Sequence, residues 1–344
     1  MSSPLFVYGA THRNAPLSIR ERLALPADQI GFVYEKMRTH PHLREFALLS
    51  TCNRMEIYAV AEKSPEFSRH ILRDVMGASL RLDPSLMADY LTYRNGEEAV
   101  RHLIEVASGV DSLVVGEAEI LGQVKGAYAE ARSRNTIGPV LNRLFQKTFQ
   151  AAKWVRTHTE IGRGQVSVGT VAVELAQHVF GDLTDCRVLI VGAGEIAEKT
   201  LIALQSRGAR HITVTNRTYA KACEAAQLFR GQALPMENLD LALQEADIVI
   251  GSTASPDPLL TYRTLAPVMS QRPMQPLFLI DLAVPRDFAP DCEDLENVYL
   301  YNIDDLAGLA EQNLKAREKE LAHCRDILAQ RAHQLWGKLT RHLT

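Results

Sequence analysis

The chain of 344 residues is 46% hydrophobic and 23% charged, with a formal net charge of -3. At roughly 100–200 residues per domain this predicts two domains with buried cores, and the charge excludes a globally basic nucleic-acid binder, leaving only a local patch for such a partner. No apolar run approaches the ~18 residues of a bilayer span, so no membrane contact and a soluble, cytoplasmic protein are expected.

Leu5-Phe6-Val7-Tyr8-Gly9 opens the chain as a strand. Two more, Phe46–Ser50 and Glu56–Val60, flank a bend at Thr51-Cys52-Asn53-Arg54. Helical patterns between and after them predict a mixed α/β domain over residues 1–162, ending in the linker-like Gly162-Arg163-Gly164. From Arg187 onward, short apolar strands alternate with helix-length segments: Arg187–Val191, Ile212–Thr215, Ile248–Ile250 and Leu277–Ile280. Fully apolar strands suit a parallel sheet buried on both faces. Residues 163–301 are therefore expected to form a Rossmann-type, doubly wound nucleotide-binding domain. Beyond Ile303 there is no proline and almost no glycine, and Leu314, Leu321, Leu328 and Leu335 recur every seven residues. This predicts one long amphipathic helix over 302–344 whose leucine seam packs on another helix; Arg317 and Arg331 in the companion seam argue against an extended coiled coil. The fold class is α/β throughout, with that helix as an appendage.

Gly192-Ala193-Gly194-Glu195-Ile196-Ala197 follows the first strand of the second domain and opens a helix. The first glycine permits a tight turn, the second lets the backbone approach a pyrophosphate, and the small Ala197 lets helix and strand pack closely, with the helix N-terminus facing the phosphates. After the next strand, where an NAD-binding domain carries a carboxylate for the ribose 2′-hydroxyl, this chain has Asn216-Arg217-Thr218. A guanidinium with small hydrogen-bonding neighbours suits a 2′-phosphate, so NADPH is expected as the cofactor over NADH.

The five cysteines, Cys52, Cys186, Cys223, Cys292 and Cys324, are scattered and include no Cys-x-x-Cys pair. This argues against a disulfide framework or a zinc site and suits a reducing compartment; no residue cluster indicates a metal. Cys52 stands out because it lies at a strand–strand bend with Arg54 two residues on, where a cation would favour the thiolate. A thiolate beside a hydride donor suggests a definite chemistry: attack on an activated acyl group to give a thioester, then reduction of that thioester to an aldehyde. A buried, inert cysteine is the alternative.

Several longer motifs make the chain similar to the glutamyl-tRNA reductase family. Ser50-Thr51-Cys52-Asn53-Arg54-Met55-Glu56 resembles its cysteine motif, and the stretch from His102 through Ser108-Gly109-Val110-Asp111-Ser112 to Gly116–Lys125 resembles its second signature. Gly9–Pro16 resembles its opening, Val166–Ala176 its interdomain helix and Asp281–Asp287 its late cofactor-domain strand. The resemblance implies that Cys52 attacks the ester carbonyl between glutamate and the tRNA 3′ end, and that NADPH then reduces the thioester to glutamate-1-semialdehyde at the start of tetrapyrrole synthesis. It further implies substrate contacts by Thr51, Asn53 and Arg54, with Arg54 pairing a carboxylate, and by Ser112, Glu117, Glu119 and Gln123. His102 would act as proton donor to the leaving ribose oxygen. By resemblance the partners are glutamate-charged tRNA(Glu), a second copy of the chain and an aminomutase that takes the semialdehyde. The family continues into a helical dimerisation domain, of which the leucine seam is expected to be the remnant. One departure concerns the substrate site, where Ala118-Glu119 stands in place of the family's Pro-Gln. A carboxyl there disfavours a bound carboxylate unless it is protonated or paired with Lys125 or Arg54.

A tRNA partner needs a basic surface. Between Ala131 and Thr159 there is no acidic residue, whereas Arg132, Arg134, Arg143, Lys147, Lys153 and Arg156 all occur. That stretch either tracks phosphates or is a solvated helix face; the basic end of the last helix, with Arg331, Lys338 and Arg341, is a second candidate. Two other functions stay open on sequence alone: a small-molecule dehydrogenase, since shikimate-type enzymes share Asn-Arg-Thr at this place, and a non-enzymatic relative that binds tRNA or NADPH.

Overall fold

A computed structural model describes residues 4–62, 77, 89–117, 119–159, 161, 168–314 and 318–340. The Gly162-Arg163-Gly164 linker and the first two residues of the Val166 segment lie outside these. The chain forms two compact units, one of residues Met1–Gln165 with Asn313–Thr344 and one of Val166–Gln312.

The first unit is built on a four-stranded antiparallel sheet of β1 (Leu5–Thr11), β2 (Leu43–Ser50), β3 (Arg54–Ala61) and β4 (Thr92–Asn95), in the order β2-β3-β1-β4. Strand β3 is buried along its whole length, which is why it carries residues such as Ile57, Tyr58 and Val60 without a polar alternation. Gly9 of β1 lies opposite Glu56, and a Cβ there would sit 2.1 Å from the Met55 carbonyl oxygen, so the two strands approach this closely only because position 9 is glycine.

Among the described residues the unit also carries helices α1 (Leu17–Leu23), α2 (Ala27–Arg38), α3 (Gly96–Ala107), α4 (Glu119–Ser133) and α5 (Pro139–His158). Helix α5 starts with Pro139 at its first turn, and the buried carboxylate of Glu45 on β2 accepts the Val140 and Leu141 N–H groups at 3.1 and 2.6 Å. An anion thus satisfies helix-end donors that have no partner within the helix.

The C-terminal helix Glu318–Leu339 packs against α3 and α5. Its Cys324, Leu328, Ala332, Leu335 and Leu339 are buried in the same core as Leu103 and Leu144. Leu328 and Leu335 of the seven-residue seam thus face this chain's own helices, and Leu321 packs partly buried beside them. Arg331, which interrupts the companion seam, lays its guanidinium over the Trp154 ring at 4.2 Å.

The second unit carries six parallel strands: β5 (Arg187–Val191), β6 (His211–Asn216), β7 (Gln232–Pro235), β8 (Ile248–Gly251), β9 (Leu277–Asp281) and β10 (Val298–Asn302). Their order, β10-β9-β8-β5-β6-β7, reverses direction of travel between β5 and β8. Ligands of such sheets bind beyond the strand ends at that reversal. Around the sheet run α6 (Val168–Phe180), α7 (Glu195–Ser206), α8 (Tyr219–Leu228), α9 (Leu239–Glu245), α10 (Tyr262–Ser270) and α11 (Ile303–Leu314). No described helix is long and apolar enough to cross a membrane.

Candidate active site

Cys52 sits in the tight turn that joins β2 to β3. The Thr51 N–H donates to the Arg54 carbonyl at 2.8 Å, and the Thr51 hydroxyl accepts the N–H groups of Asn53 and Arg54, both at 3.2 Å. From outside the turn, Arg20 of α1 donates to the Cys52 carbonyl (3.2 Å) and to the Asn53 side-chain oxygen (2.7 Å). Cys52 itself is half-buried, whereas Asn53 and Arg54 are buried. Thr51 and Asn53 therefore hold the shape of the loop that presents the thiol.

Arg54 does not supply the cation expected beside that thiol. Its guanidinium turns into the core, where it meets Glu56 (3.4 Å) and the carboxylate of Asp111 (3.3 Å), and it donates to the Asp111 carbonyl. A charge this deep in the protein needs such partners. The cation that bears on Cys52 is Arg20 instead. It does not prevail: burial pushes the Cys52 thiol up to about 12, Glu117 and Glu119 add to the rise, and Arg20 opposes it. The alkylation rate of Cys52 by iodoacetamide is accordingly expected to climb about tenfold per pH unit from 7 to 10, without the plateau that an ordinary thiol shows near ~8.5. Replacing Glu119 by Gln removes a nearby negative charge and should speed the reaction several-fold at pH 7.5. Peptide mapping of the labelled chain checks both, and a plateau below pH 9 contradicts the raised thiol.

His102 on α3 enters the same buried cluster. Its Nε2 lies 2.5 Å from one Glu56 oxygen and its Nδ1 lies 3.9 Å from Asp111, while the Tyr58 hydroxyl donates to Glu56 at 2.9 Å. Both ring nitrogens face carboxylates, and no hydrogen bond joins His102 to Cys52. Burial alone would raise the Glu56 carboxyl, but His102, Arg54 and the hydrogen bonds from His102 and Tyr58 outweigh it and leave the group at about 2. Asp111 is likewise held below the usual carboxylate range, by Arg54, His102 and Arg13 acting against its burial.

Glu56, Tyr58, Asp111, Arg20 and His12 had drawn no role from sequence. Arg54 and Glu56 stand two apart on one face of β3, which is the one local sign of the cluster. His12 donates its backbone N–H to the Asn53 carbonyl at 2.8 Å, and its Nδ1 is buried without a hydrogen-bond partner. Burial, with the nearby Arg54 charge, lowers its imidazole to about 4, so it is neutral at physiological pH.

The loop after α3 carries the second signature. Gly109 and Gly116 both adopt left-handed backbone, with φ of 78° and 85°, and a Cβ on Gly116 would lie 2.2 Å from the Ile161 carbonyl oxygen. The Gly116 N–H closes the loop on the Gly109 carbonyl at 2.8 Å, and Arg156 donates to the Glu117 carbonyl at 2.7 Å. The loop leads into α4, placing half-buried Glu119 in its first turn and exposed Gln123 one turn on. The hydroxyl of Ser112 is buried and has no hydrogen-bond partner.

Part of the basic stretch from Ala131 to Thr159 is built into the fold, while Arg132 and Lys153 are exposed. Arg134 pairs with Glu130 and lies over the Tyr34 ring, Arg156 caps the signature loop, and Lys147 donates to Gln150.

In the second unit, Gly192 follows β5 with φ of 113°, and a Cβ there would lie 2.3 Å from the Ser252 carbonyl oxygen. Its N–H donates to the Thr215 carbonyl, while the Ser252 N–H donates to the Val191 carbonyl, so the turn is fixed from both neighbouring strands. Gly194 is exposed, and a Cβ on it would meet nothing closer than 4.0 Å, which leaves its backbone and the N-terminus of α7 open to a pyrophosphate. Ala193 and Ile196 are half-buried around it, and Ala197 is buried against the sheet. Beyond β6, Asn216 donates to the Thr218 carbonyl at 3.3 Å, and Arg217 and Thr218 are exposed. Arg217 makes no hydrogen bond or ion pair among the described residues, so its guanidinium is available to a 2′-phosphate. These residues fit NADPH. Arg217→Ala is expected to weaken NADPH binding about 10–100-fold, the worth of a charge-assisted contact, with NADH affinity nearly unchanged; cofactor titration by fluorescence checks it, and equal losses remove Arg217 from the 2′-phosphate site.

Fold and site together define an NADPH-dependent reductase with a cysteine-bearing α/β unit. Residues 8–159 match the family described as glutamyl-tRNAGlu reductase, N-terminal domain, and residues 174–309 match shikimate / quinate 5-dehydrogenase. The glutamyl-tRNA reductase of Akkermansia muciniphila is 43% identical over 93% of this chain and 94% of its own, and that of Syntrophotalea carbinolica 44% identical over 94% of this chain and 73% of its own. The solved glutamyl-tRNA reductase from Methanopyrus kandleri, 33% identical, superposes with a TM-score of 0.55 over 98% of this chain and 81% of that one. The chain belongs to the glutamyl-tRNA reductase family. Its reaction is the NADPH-dependent reduction of glutamyl-tRNA to glutamate-1-semialdehyde, the first step of tetrapyrrole synthesis by the C5 route.

Proposed function

We propose that the reduction runs through a thioester on Cys52. The observation that carries this is the placement of Cys52 in a turn whose other side chains all hold the loop, leaving the thiol as its one free functional group. The sulfur attacks the glutamyl ester carbonyl, the bond to the ribose oxygen breaks, and the proton released by the thiol passes to that oxygen. The thiol is protonated in the free chain, so attack draws on its small thiolate fraction, which grows with pH. NADPH, held by the 192–197 loop and Arg217, would supply a hydride to the thioester carbonyl. The carbon–sulfur bond then breaks, giving the aldehyde and the free cysteine.

In this reading Ser112, Glu117, Glu119 and Gln123 hold the glutamyl group. Support comes from the unpartnered Ser112 hydroxyl and from the exposed Gln123 one turn beyond Glu119. Arg54 and His102 act through their shared carboxylates, as positioning residues behind the loop. The same reading places the reaction in the cytoplasm, pairs two copies of the chain, and passes the semialdehyde to an aminomutase.

Single-turnover reduction of radiolabelled glutamyl-tRNA, with NADPH, NADH or neither, tests the scheme. Without cofactor, label is expected on the protein as an acid-stable, hydroxylamine-sensitive adduct that maps to Cys52. With NADPH it should leave as semialdehyde. Semialdehyde formed with no protein-bound label at any time point would rule out the covalent route.

A further inference from the structure

A cleft of about 400 Å³ opens in the first unit, with His102 and Asp111 of the buried charge cluster in its wall. Four arginines line it: Arg13 after β1, Arg94 in β4, Arg101 on α3 and Arg325 on the C-terminal helix. Three carboxylates face them, those of Glu98, Glu105 and Asp111. Two of the arginines are neutralised within the fold, since Arg13 pairs with Asp111 and Arg101 pairs with Glu105 at 2.7 Å. Arg94 and Arg325 have no carboxylate partner among the described residues; Arg94 makes one hydrogen bond, at 3.3 Å, to the Thr92 hydroxyl. Two guanidinium groups from elements far apart in sequence thus reach one cleft, and each is suited to a forked contact with phosphate oxygens. The volume exceeds that of a lone phosphate and falls in the range of a nucleotide-sized ligand.

We propose that this cleft seats a phosphodiester of the acceptor end of the tRNA, with Arg94 and Arg325 as its two cationic contacts. The proposal rests on the reading of glutamyl-tRNA as substrate. Asp111 connects the two places: it pairs with Arg13 at the cleft and with Arg54 behind the Cys52 turn, so the cleft borders the framework that holds the thiol loop. Of the basic residues from Ala131 to Thr159, Arg134 and Arg156 are engaged elsewhere in the fold.

The test uses the full chain with Arg94→Gln, Arg325→Gln and both together. Filter binding of glutamyl-tRNA is measured from 50 to 300 mM salt, beside steady-state kinetics and NADPH titration. Removing either guanidinium should flatten the slope of log affinity against log salt by roughly 0.7–0.9. The double variant is expected to bind tRNA about tenfold more weakly at low salt, with the loss in KM and with NADPH affinity unchanged. Arg325 is exposed on its helix, so Arg325→Gln alone decides the matter if Arg94→Gln folds poorly. Wild-type turnover of glutamyl-tRNA with unaltered affinity and slope in the double variant would overturn the cleft assignment and leave the function standing. No turnover and no tRNA binding by the wild type would overturn both. Inorganic phosphate that binds the wild type but not the variants, with tRNA affinity unmoved, would make the cleft a small-anion site and overturn the tRNA assignment.

Discussion

Cys52→Ser is expected to lower single-turnover reduction by roughly 10⁴–10⁶-fold, the scale seen when a covalent nucleophile is removed. The hydroxyl fits the turn, because the loop is closed by the hydrogen bonds of Thr51 and Arg20. The fold and the affinities for tRNA and NADPH should therefore stay within about twofold of wild type. The loss is large because sulfur, even with the Cys52 thiol raised by burial to about 12, is a far better nucleophile and leaving group than a serine oxygen. A serine variant that turns over at a tenth of the wild-type rate or more would remove the thioester from the scheme. The pH profile supplies a second check: single-turnover rates should rise through the neutral range without levelling near the value of an unperturbed thiol.

Glu56→Ala should produce the largest change in stability. It leaves Arg54, His102 and the Tyr58 hydroxyl without their common acceptor in a site from which water is excluded. Breaking a buried ion pair by deleting one partner costs about 3–5 kcal/mol, read as a shift of the urea midpoint of the first unit. The acid limb of the wild-type stability curve follows from the same group. Glu56 is held at about 2 in the folded chain against an ordinary value near ~4.3. Its folded value is depressed, so its contribution is complete above ~4.3 and disappears as pH falls from there towards 2. The variant should lose that part of the acid slope. Equal midpoints at neutral pH, or superimposable acid limbs, would show that Glu56 does not hold the cluster together.

The parallel strands were legible because a strand covered on both faces is an uninterrupted apolar run, as in residues 188–191 and 248–250. The phosphate loop was legible for another reason: the backbone does the binding, so the necessary glycines sit next to one another in the chain. The strands that escaped, Thr92–Asn95, Gln232–Pro235 and Val298–Asn302, are all edge strands and only partly buried; the first two carry no continuous apolar run, and the third mixes its two apolar residues with two tyrosines.

The charge cluster escaped because its pairs are long-range. Arg54 and Asp111 are 57 residues apart and Glu56 and His102 are 46 apart, and charged residues in a strand ordinarily indicate a wet face. Here α3 and the signature loop cover that face. The same covering explains why Arg54 turns away from the thiol two residues before it: alternation along β3 directs its side chain to the side where Glu56 and Asp111 wait. The leucine repeat was legible as a packing surface, but whether a seven-residue seam meets a helix of its own chain or of a second copy depends on where the chain turns, which periodicity does not encode.

The cofactor-binding unit is threaded as a guest within its host: the chain leaves the first unit near residue 165 and returns to it near residue 313. The host is consequently not a contiguous stretch of sequence. Cys324, Leu328, Leu335 and Leu339, from the returning segment, fill the same interior as the opening strands. A fragment cut after the signature helices would lack a wall of its own interior and expose the apolar sides of α3 and α5 to water. The guest, by contrast, begins and ends within one continuous run of residues. Separating the two activities in the laboratory is therefore a matter of excising the middle and rejoining the flanks, whereas cutting the gene in half would leave a self-contained guest and an unfinished host.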